Sequence, residues 1–164
     1  PPSSLQGDLA FVDVLERMGC RVDRAPDDVT VTGPDQLRGV DVDMNAISDT
    51  VQTLAAIAPF ASEPVSIRNV GHIRLKETDR IHAVVTELRR AGIDVDEQSD
   101  GLVVHPGVPR PTTIKTYDDH RMAMSFAIIG TRVEGTSIAD PGCVAKTVPP
   151  YWDILFPLLG CGLA

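Results

Sequence analysis

Apolar positions recur with helical spacing in several parts of the chain. Ile81, Val84, Val85 and Leu88 are spaced so that they form one apolar stripe along a helix. Gly92 follows this stripe and predicts the end of the helix. Similar apolar stretches predict four more helices, one led by residues 6–8 and three over residues 50–60, 122–132 and 150–159.

Short runs rich in β-branched residues lie between these helices and predict strands. Val95 and residues 102–104 flank a polar turn at residues 99–101, which is the pattern of a hairpin. Residues 65–67 and 136–138 each follow a helix and a polar or glycine-containing turn, so they predict two further strands. Helices and strands that recur in this way predict the α/β or the α+β class.

The same order of elements occurs twice along the chain. Residues 6–33 resemble residues 79–107, and residues 63–67 resemble residues 134–138. The matches keep their order and spacing, so we predict an internal duplication. Matched pairs in the first comparison are Leu15 with Leu88, Gly19 with Gly92, and Val22 with Val95.

This duplication divides the chain into two predicted units. Unit one covers about residues 5–70 and unit two about residues 71–164. No long linker or block of like charges separates them, so we predict one domain over residues 1–164. A folded chain of this size hides roughly 68–70% of its unfolded surface, which is enough for a core without disulfides or metal.

Composition and charge exclude several classes of protein. The 164 residues are 43% hydrophobic and 23% charged, which is typical of a globular protein and not of a disordered one. The net charge of −8 argues against a nucleic-acid-binding surface. No apolar run approaches the roughly 18 residues of a membrane span, so no contact with a membrane is predicted.

The cysteines and histidines lack the spacing of metal ligands. Cys20, Cys143 and Cys161 form no CxxC pair, so neither a zinc site nor a disulfide framework is predicted. Free cysteines make a reducing cytoplasm the expected location. The chain begins with Pro1 and not with Met, so we interpret it as a processed chain or as a piece of a longer one.

Charged residues concentrate just before, or in the first turn of, the predicted helices. Four cations lie there: Lys76, Arg80, Arg121 and Lys146. A cation at a helix N-terminus opposes the helix dipole at a cost of about 0.3–1 kcal/mol if exposed, so this recurrence predicts a site for a phosphate or a carboxylate. The alternative is that neighbouring aspartates pair with these cations or cap the helices: Asp79, Asp118 and Asp119.

Two carboxylates near these cations have two interpretations each. Asp49 follows Ser48 directly before an apolar helix, so it is either the N-cap or a proton carrier beside a bound anion. Glu77 lies between Lys76 and Arg80, so it is either a solvated ion-pair partner or a second proton carrier. The spacing does not choose between these alternatives.

Two longer motifs resemble those of a known family. Residues 74–81, RLKETDRI, resemble the RxKETDR motif of the 5-enolpyruvylshikimate-3-phosphate (EPSP) synthases, and residues 118–124, DDHRMAM, resemble the family's DHRMAM motif. The resemblance extends over nearly the whole chain. Three shorter segments are similar to family segments in the same order: residues 4–8, residues 43–45 with Asp49, and residues 143–147.

The resemblance implies a fold and an activity. The family joins phosphoenolpyruvate to the 5-hydroxyl of shikimate 3-phosphate in the shikimate pathway of aromatic amino acid biosynthesis, releases phosphate, and needs no metal or organic cofactor. Its α+β fold, of the α/β prism type, has two similar domains of three βαβαββ units each. This chain would contain two of the three units of one domain. Its partner would be the missing N-terminal part of the same enzyme, which supplies further contacts to both substrates, so the chain alone would be inactive. Glyphosate-type inhibitors would bind the same site.

By the same resemblance, three residues match positions that contact shikimate 3-phosphate. Asp49 matches a residue that also accepts the hydroxyl proton, and Lys76 matches a contact close to the reaction centre. His72 stands where many relatives carry asparagine. Histidine can also donate a hydrogen bond, so a contact with shikimate 3-phosphate is implied there as well.

Four residues match positions around phosphoenolpyruvate. Glu77 matches the residue implicated in proton transfer at the methylene group, and Arg80 and Arg121 match the arginines that hold the carboxylate. Lys146 matches a lysine near the phosphate. The implied catalytic set is therefore Asp49, Glu77 and Lys76.

Two alternative functions stay open from the sequence. The first is a sister enolpyruvyl transferase that acts on UDP-N-acetylglucosamine, although the KETDR and DHRMAM segments favour the shikimate enzyme. The second is a non-catalytic domain kept for binding or assembly. Competition between the two substrates would separate the first alternative from the shikimate enzyme.

Overall fold

The computed structural model describes Ser4 and residues 6–159. Its α-helices are α1 (Phe11–Arg17), α2 (Val51–Ile57), α3 (Arg80–Arg90), α4 (His120–Gly130) and α5 (Tyr151–Leu158). Its strands are β1 (Arg21–Arg24), β2 (Val29–Thr32), β3 (Asp41–Asp43), β4 (Val65–Arg68), β5 (Val95–Gln98), β6 (Gly101–Val104), β7 (Thr113–Ile114) and β8 (Ser137–Ile138). Short 3₁₀ segments cover Gly7–Ala10, Asn45–Thr50, Ala58–Phe60, Gly71–Leu75 and Pro141–Lys146.

Each predicted helix is present, but the ends differ from the prediction. α4 begins at His120, before the predicted residue 122, because the Asp119 carboxylate accepts a hydrogen bond from Arg121 N at 2.8 Å and caps the helix. α2 ends at Ile57 and gives way to a 3₁₀ turn that contains Pro59. Proline has no N–H to donate, so the α-helical pattern cannot continue through it.

The two hairpins repeat each other in register, and this supports the predicted duplication. Gly19 and Gly92 precede them with φ angles of +100° and +84°, a backbone conformation that glycine adopts without steric cost. The equivalent antiparallel pairs are Val22 with Val31 in β1–β2, and Val95 with Val104 in β5–β6.

One sheet joins strands from both sides of residue 71. Its order is β3-β4-β6-β5, in which β3 runs parallel to β4 and β4 runs antiparallel to β6. A side chain at Gly101, the first residue of β6, would overlap the carbonyl oxygen of Ile67 in β4. The two predicted units are therefore connected by backbone hydrogen bonds in a mixed sheet of the α+β class. The strand pairs β1–β2 and β7–β8 form separate two-stranded sheets.

Two strands were not predicted from the sequence. β3 and β7 have only three and two residues, and they alternate one buried apolar residue with polar ones. Each becomes a strand because it pairs in parallel with a later strand, β3 with β4 and β7 with β8. Parallel partners are distant in sequence, so no local signal marks these segments.

The helices cover one large apolar core and a small second cluster of Ala123, Cys143 and Val144. Fully buried residues on α2, β4, α3 and α4 include Leu54, Ile67, Leu88 and Phe126. Helices α2 and α4 pack side by side, and the hydroxyls of Thr53 and Ser125 lie 3.0 Å apart between them. No helix among the described residues is long and apolar enough to cross a membrane.

Candidate active site

Arg80, the first residue of α3, lies at the centre of a cluster of charged residues. Arg80 is 1% exposed. Each of its three guanidinium nitrogens donates to a carboxylate that lies outside α3. Nε donates to Asp119 Oδ2 at 2.7 Å, Nη1 to Asp49 Oδ1 at 3.3 Å, and Nη2 to Glu77 Oε2 at 2.6 Å.

Asp119 is the fully buried counter-ion of Arg80. Its side chain has no exposed surface, and it accepts from both the Arg80 guanidinium and the Arg121 backbone N–H. A buried charge is tolerated only when a partner and hydrogen bonds compensate it, so these two residues depend on each other. Asp119 is therefore both a helix cap and a pairing partner, the two roles that its place in the sequence predicted.

A second arginine fixes the start of α3. Arg74 Nη1 donates to both oxygens of Asp79, at 3.0 and 2.8 Å, and Arg74 also binds Glu97 Oε1 from β5. Asp79 in turn caps α3 by accepting from His82 N at 3.0 Å. The chain that carries Glu77 and Arg80 is thereby held against the sheet.

Asp49 bridges the two arginines that the resemblance assigns to one substrate. Its Oδ2 accepts from Arg121 Nη2 at 2.7 Å, its carbonyl oxygen accepts from Arg121 Nη1 at 2.9 Å, and its Oδ1 accepts from Arg80. Among the described residues no backbone N–H donates to the Asp49 carboxylate, so the interpretation of Asp49 as an N-cap is wrong. The carboxylate is 37% exposed and remains accessible to a ligand.

Lys146 reaches the site from a different element than the sequence predicted. It lies in the last turn of the 3₁₀ segment Pro141–Lys146, whereas α5 begins only at Tyr151, so Lys146 does not lead a helix. Its Nζ donates to the carbonyl oxygen of Asp118 at 2.6 Å, directly before Asp119. Lys146 is therefore adjacent to the arginine cluster through the backbone of residues 118–119.

Lys76 and His72 are placed differently from the rest. Lys76 follows the 3₁₀ segment Gly71–Leu75 and lies before α3, so it does not occupy a helical first turn. Both side chains are exposed, and neither is drawn into a hydrogen bond or ion pair among the described residues. The structure brings Asp49, Glu77, Arg80 and Arg121 into direct contact, and it leaves Lys76 and His72 at the solvent-facing side.

His120 belongs to this cluster and was missed by the sequence analysis. Its Nδ1 is buried without a hydrogen-bond partner among the described residues and lies 4.0 Å from Asp119 Oδ1. Burial is the main cause that lowers the pKa of His120 below its usual value, so the ring is neutral at pH 7. Its position between Asp119 and Arg121 was the available signal.

The accessible part of this site combines two cations with two carboxylates. Arg121 and Lys146 are 29% and 43% exposed, and Asp49 and Glu77 are 37% and 40% exposed. Such a surface can bind a small anion and can exchange protons with it. The described part of the chain contains no group of three histidine, cysteine, aspartate or glutamate side chains able to hold a metal ion.

The fold and this site define a class: an α+β protein in which arginine, lysine and carboxylate side chains from separate segments meet at one accessible surface suited to small anions. Residues 1–155 match the family model described as EPSP synthase (3-phosphoshikimate 1-carboxyvinyltransferase). The chain therefore belongs to the EPSP synthase family.

Individual relatives agree with this assignment. The chain is 60% identical over 156 residues to a 3-phosphoshikimate 1-carboxyvinyltransferase of Nostoc punctiforme, and 56% identical over 157 residues to one of Trichormus variabilis. These alignments cover 95% and 96% of the chain. The solved EPSP synthase of Acinetobacter baumannii shares the fold with a TM-score of 0.80 at 23% identity, over 92% of this chain and 39% of that one.

The chain spans only part of these relatives. It covers 37% of the length of each of the two cyanobacterial proteins. The family relationship is thus established for a portion of the molecule. The activity of the whole enzyme, its substrates and its partners are inferences for this chain.

Proposed function

We propose that this chain forms one part of the active site of an enzyme that transfers the enolpyruvyl group of phosphoenolpyruvate to the 5-hydroxyl of shikimate 3-phosphate. The products are EPSP and phosphate, and the pathway is that of aromatic amino acid biosynthesis. The observation that carries the proposal is the bridge from Asp49 to Arg80 and Arg121. It places one exposed carboxylate against two arginines in the two segments that resemble the family motifs.

The arginines and Lys146 would bind phosphoenolpyruvate. A guanidinium binds a carboxylate through two parallel hydrogen bonds, and a lysine near the phosphate stabilises the charge that develops as phosphate leaves. Arg121 is 29% exposed and can be reached directly, whereas Arg80 is enclosed by carboxylates. We propose that Glu77, which is 40% exposed, turns away from Arg80 when the substrate carboxylate arrives.

Asp49 and Glu77 would then handle protons on two different substrates. Asp49 accepts the proton of the 5-hydroxyl while the hydroxyl oxygen forms a bond to C2 of phosphoenolpyruvate. At the same time the methylene carbon gains a proton from Glu77. In the second step the new methyl group returns a proton to Glu77, the bond from C2 to the phosphate oxygen breaks, and phosphate departs with the proton that Asp49 took up. Lys76 and His72 would contact shikimate 3-phosphate from the solvent-facing side.

The remaining expectations belong to the same proposal. The N-terminal part of the enzyme would complete the site, and the isolated chain would be inactive. Glyphosate-type inhibitors would bind with the substrates. Residues 1–164 would form one domain of two units, over about 5–70 and 71–164. A cytoplasmic location is supported by Cys20 and Cys143, which are buried as free thiols.

The proposal is tested by titrating the ¹⁵N-labelled chain with shikimate 3-phosphate and with phosphoenolpyruvate, using UDP-N-acetylglucosamine as the comparator. Saturable shifts around Asp49 and Arg121 with the first two ligands only are the expected result. A chimera in which this chain replaces the matching segment of the Nostoc punctiforme relative should release phosphate from both substrates. A folded chimera that releases none would contradict the proposed activity.

A further inference from the structure

A buried carboxylate on α3 lies outside the site just described. Glu87 has no exposed surface, although it sits on a helix whose start forms the site. Arg80 and Glu87 are two turns apart and therefore lie on the same face of α3. Arg80 reaches Asp119 from this face, and Glu87 reaches the residues just before Asp119.

Glu87 binds the segment between β7 and α4 at two points. Its Oε1 accepts from the Tyr117 hydroxyl at 2.7 Å, and its Oε2 accepts from the Lys115 backbone N–H at 3.0 Å. Arg90 Nη1 also donates to Oε2, at 2.6 Å, and balances the charge. Two of the three donors to this buried carboxylate thus come from residues 115–117 and not from the helix itself.

The segment held by Glu87 has an unfavourable backbone conformation. Tyr117 and Asp118 have φ angles of +56° and +55°, so two consecutive non-glycine residues are left-handed. L-amino acids with a Cβ rarely adopt this conformation, and it persists only where surrounding contacts enforce it. The contacts that do so include the Glu87 carboxylate on one side and Lys146, through the Asp118 carbonyl, on the other.

This turn decides where the cations of the site lie. It directs the Asp118 carbonyl oxygen towards Lys146 Nζ at 2.6 Å, and it places the Asp119 carboxylate under Arg80 at 2.7 Å. An extended conformation at residues 117–118 would turn both groups elsewhere. The positions of Lys146 and Arg80 relative to each other therefore depend on this turn.

We propose that Glu87 is a positioning residue, which holds the left-handed turn at Tyr117–Asp118 and thereby sets the spacing of Lys146 and Arg80 for their anionic ligand. The ligand part of this statement rests on the proposed function, while the effect on the turn does not. A simple ion pair with Arg90 would not require full burial, since pairs three residues apart on a helix are ordinarily solvated. Burial and the hydrogen bond to Glu87 also raise the pKa of Tyr117 to about 12, so its hydroxyl stays protonated and remains a donor.

The alkylation rates of two cysteines measure the opening of the turn, and this measurement needs no ligand. Burial raises the pKa of the Cys143 thiol, and the Thr116 side chain, inside the segment that Glu87 holds, lies close enough to this thiol to lower the pKa against the effect of burial. Cys20 lies directly before β1 and is buried to a similar degree, with 8% exposed against 7% for Cys143. Local opening of the turn would raise the alkylation rate of Cys143 alone, whereas global unfolding would raise both rates.

The variants Glu87→Gln and Tyr117→Phe each weaken the hydrogen bonds between Glu87 and residues 115–117. Glu87→Gln replaces one of the two accepting oxygens by an NH2 donor and removes the charge that Arg90 balances, and Tyr117→Phe removes the hydroxyl. Glu63→Gln is the matched control, because the Glu63 carboxylate also accepts from one backbone N–H, that of Gly39, and from one hydroxyl, that of Ser62. Glu63 lies beyond the C-terminal end of α2, whereas Asp49 lies before its start. Alkylation is followed by mass spectrometry of the peptides that contain Cys143 and Cys20.

We expect the ratio of the Cys143 rate to the Cys20 rate to rise about tenfold in Glu87→Gln and by a few fold in Tyr117→Phe, with no change in Glu63→Gln. In the active chimera, both turn variants should raise the KM for phosphoenolpyruvate. An unchanged ratio in Glu87→Gln, or an equal rise in Glu63→Gln, would overturn the proposal. If the unmodified chimera is inactive, the proposed function fails while the cysteine ratio still decides whether Glu87 holds the turn.

Discussion

The guanidinium of Arg121 binds both the side chain and the main chain of Asp49. Nη2 donates to the carboxylate at 2.7 Å, and Nη1 donates to the carbonyl oxygen at 2.9 Å. The two residues are 72 positions apart, and so are Thr53 and Ser125, which meet one helical turn further along. Helices α2 and α4 therefore run side by side in register. Their starts meet, and the site lies where they meet.

Asp119 should be essential for stability. Replacing it in Asp119→Ala leaves the guanidinium of Arg80 buried without its main counter-ion, which is expected to lower the free energy of unfolding by about 3–5 kcal/mol. Asp41→Ala is the control, since Asp41 and Arg68 form a pair with 64% and 50% of their side chains exposed, and such a pair contributes at most about 1 kcal/mol. Urea denaturation measures both. Equal losses in the two variants would show that Arg80 does not depend on Asp119.

Gly101 should tolerate no side chain. The Cβ of Gly101→Ala would overlap the Ile67 carbonyl oxygen and force β6 away from β4, so a loss of about 1–3 kcal/mol is expected. In Gly33→Ala the new methyl group meets nothing within 4 Å, and the free energy of unfolding should change by no more than about 0.5 kcal/mol. Thermal or urea unfolding of the two variants is the comparison; a stable Gly101→Ala protein would contradict the close approach of the two strands.

His120 should make stability depend on pH. Burial lowers the pKa of His120 in the folded chain below the ordinary value of 6.5, so below about pH 6.5 the unfolded chain binds a proton that the folded chain does not. The wild-type protein should therefore lose stability as the pH falls from about 7.5 to 5.5, and His120→Gln should lose less. The exposed His72 provides the control variant His72→Gln, which should keep the wild-type slope. Identical slopes for wild type and His120→Gln would refute the assignment.

Arg121 should not be replaceable by lysine. Arg121→Lys keeps the positive charge but loses the planar pair of donors, so the affinity for phosphoenolpyruvate is expected to fall by about tenfold or more. The control is Arg132→Lys, because Arg132 is exposed beyond the C-terminal end of α4 and far from its start. Ligand titration by NMR on the chain, or the KM of the chimera, measures the difference. A full retention of affinity in Arg121→Lys would remove Arg121 from the proposed binding site.

Much of the local structure could be predicted from the sequence. The apolar stripe through Ile81 and Leu88 gave α3, and Gly92 gave its end, because these features depend on neighbours within a few turns. The hairpin at residues 95–104 is confirmed for the same reason. By contrast β3 and β7 escaped prediction, since two or three residues carry no periodicity and become strands only through a distant parallel partner.

The residues of the site could be predicted from the sequence, but the contacts between them could not. The motifs identified Asp49, Glu77, Arg80, Arg121 and Lys146 as members of one cluster, because their kind and order resemble the family. The sequence could not reveal that Asp119 is the buried partner of Arg80 or that His120 is neutral. It also misplaced Lys146 at the start of a helix, because it gave no sign that a 3₁₀ segment and a loop precede α5.

The sequence by itself determined the family, the positions of the helices and the repeated order of elements, because these are written in residue types and short spacings. Only the tertiary structure decided that β4 pairs with β6 across the two units and that the starts of three helices meet around Arg80. It also decided that Glu87 holds the turn before Asp119. These relationships join residues that are distant along the chain, and packing of the shared core brings them together.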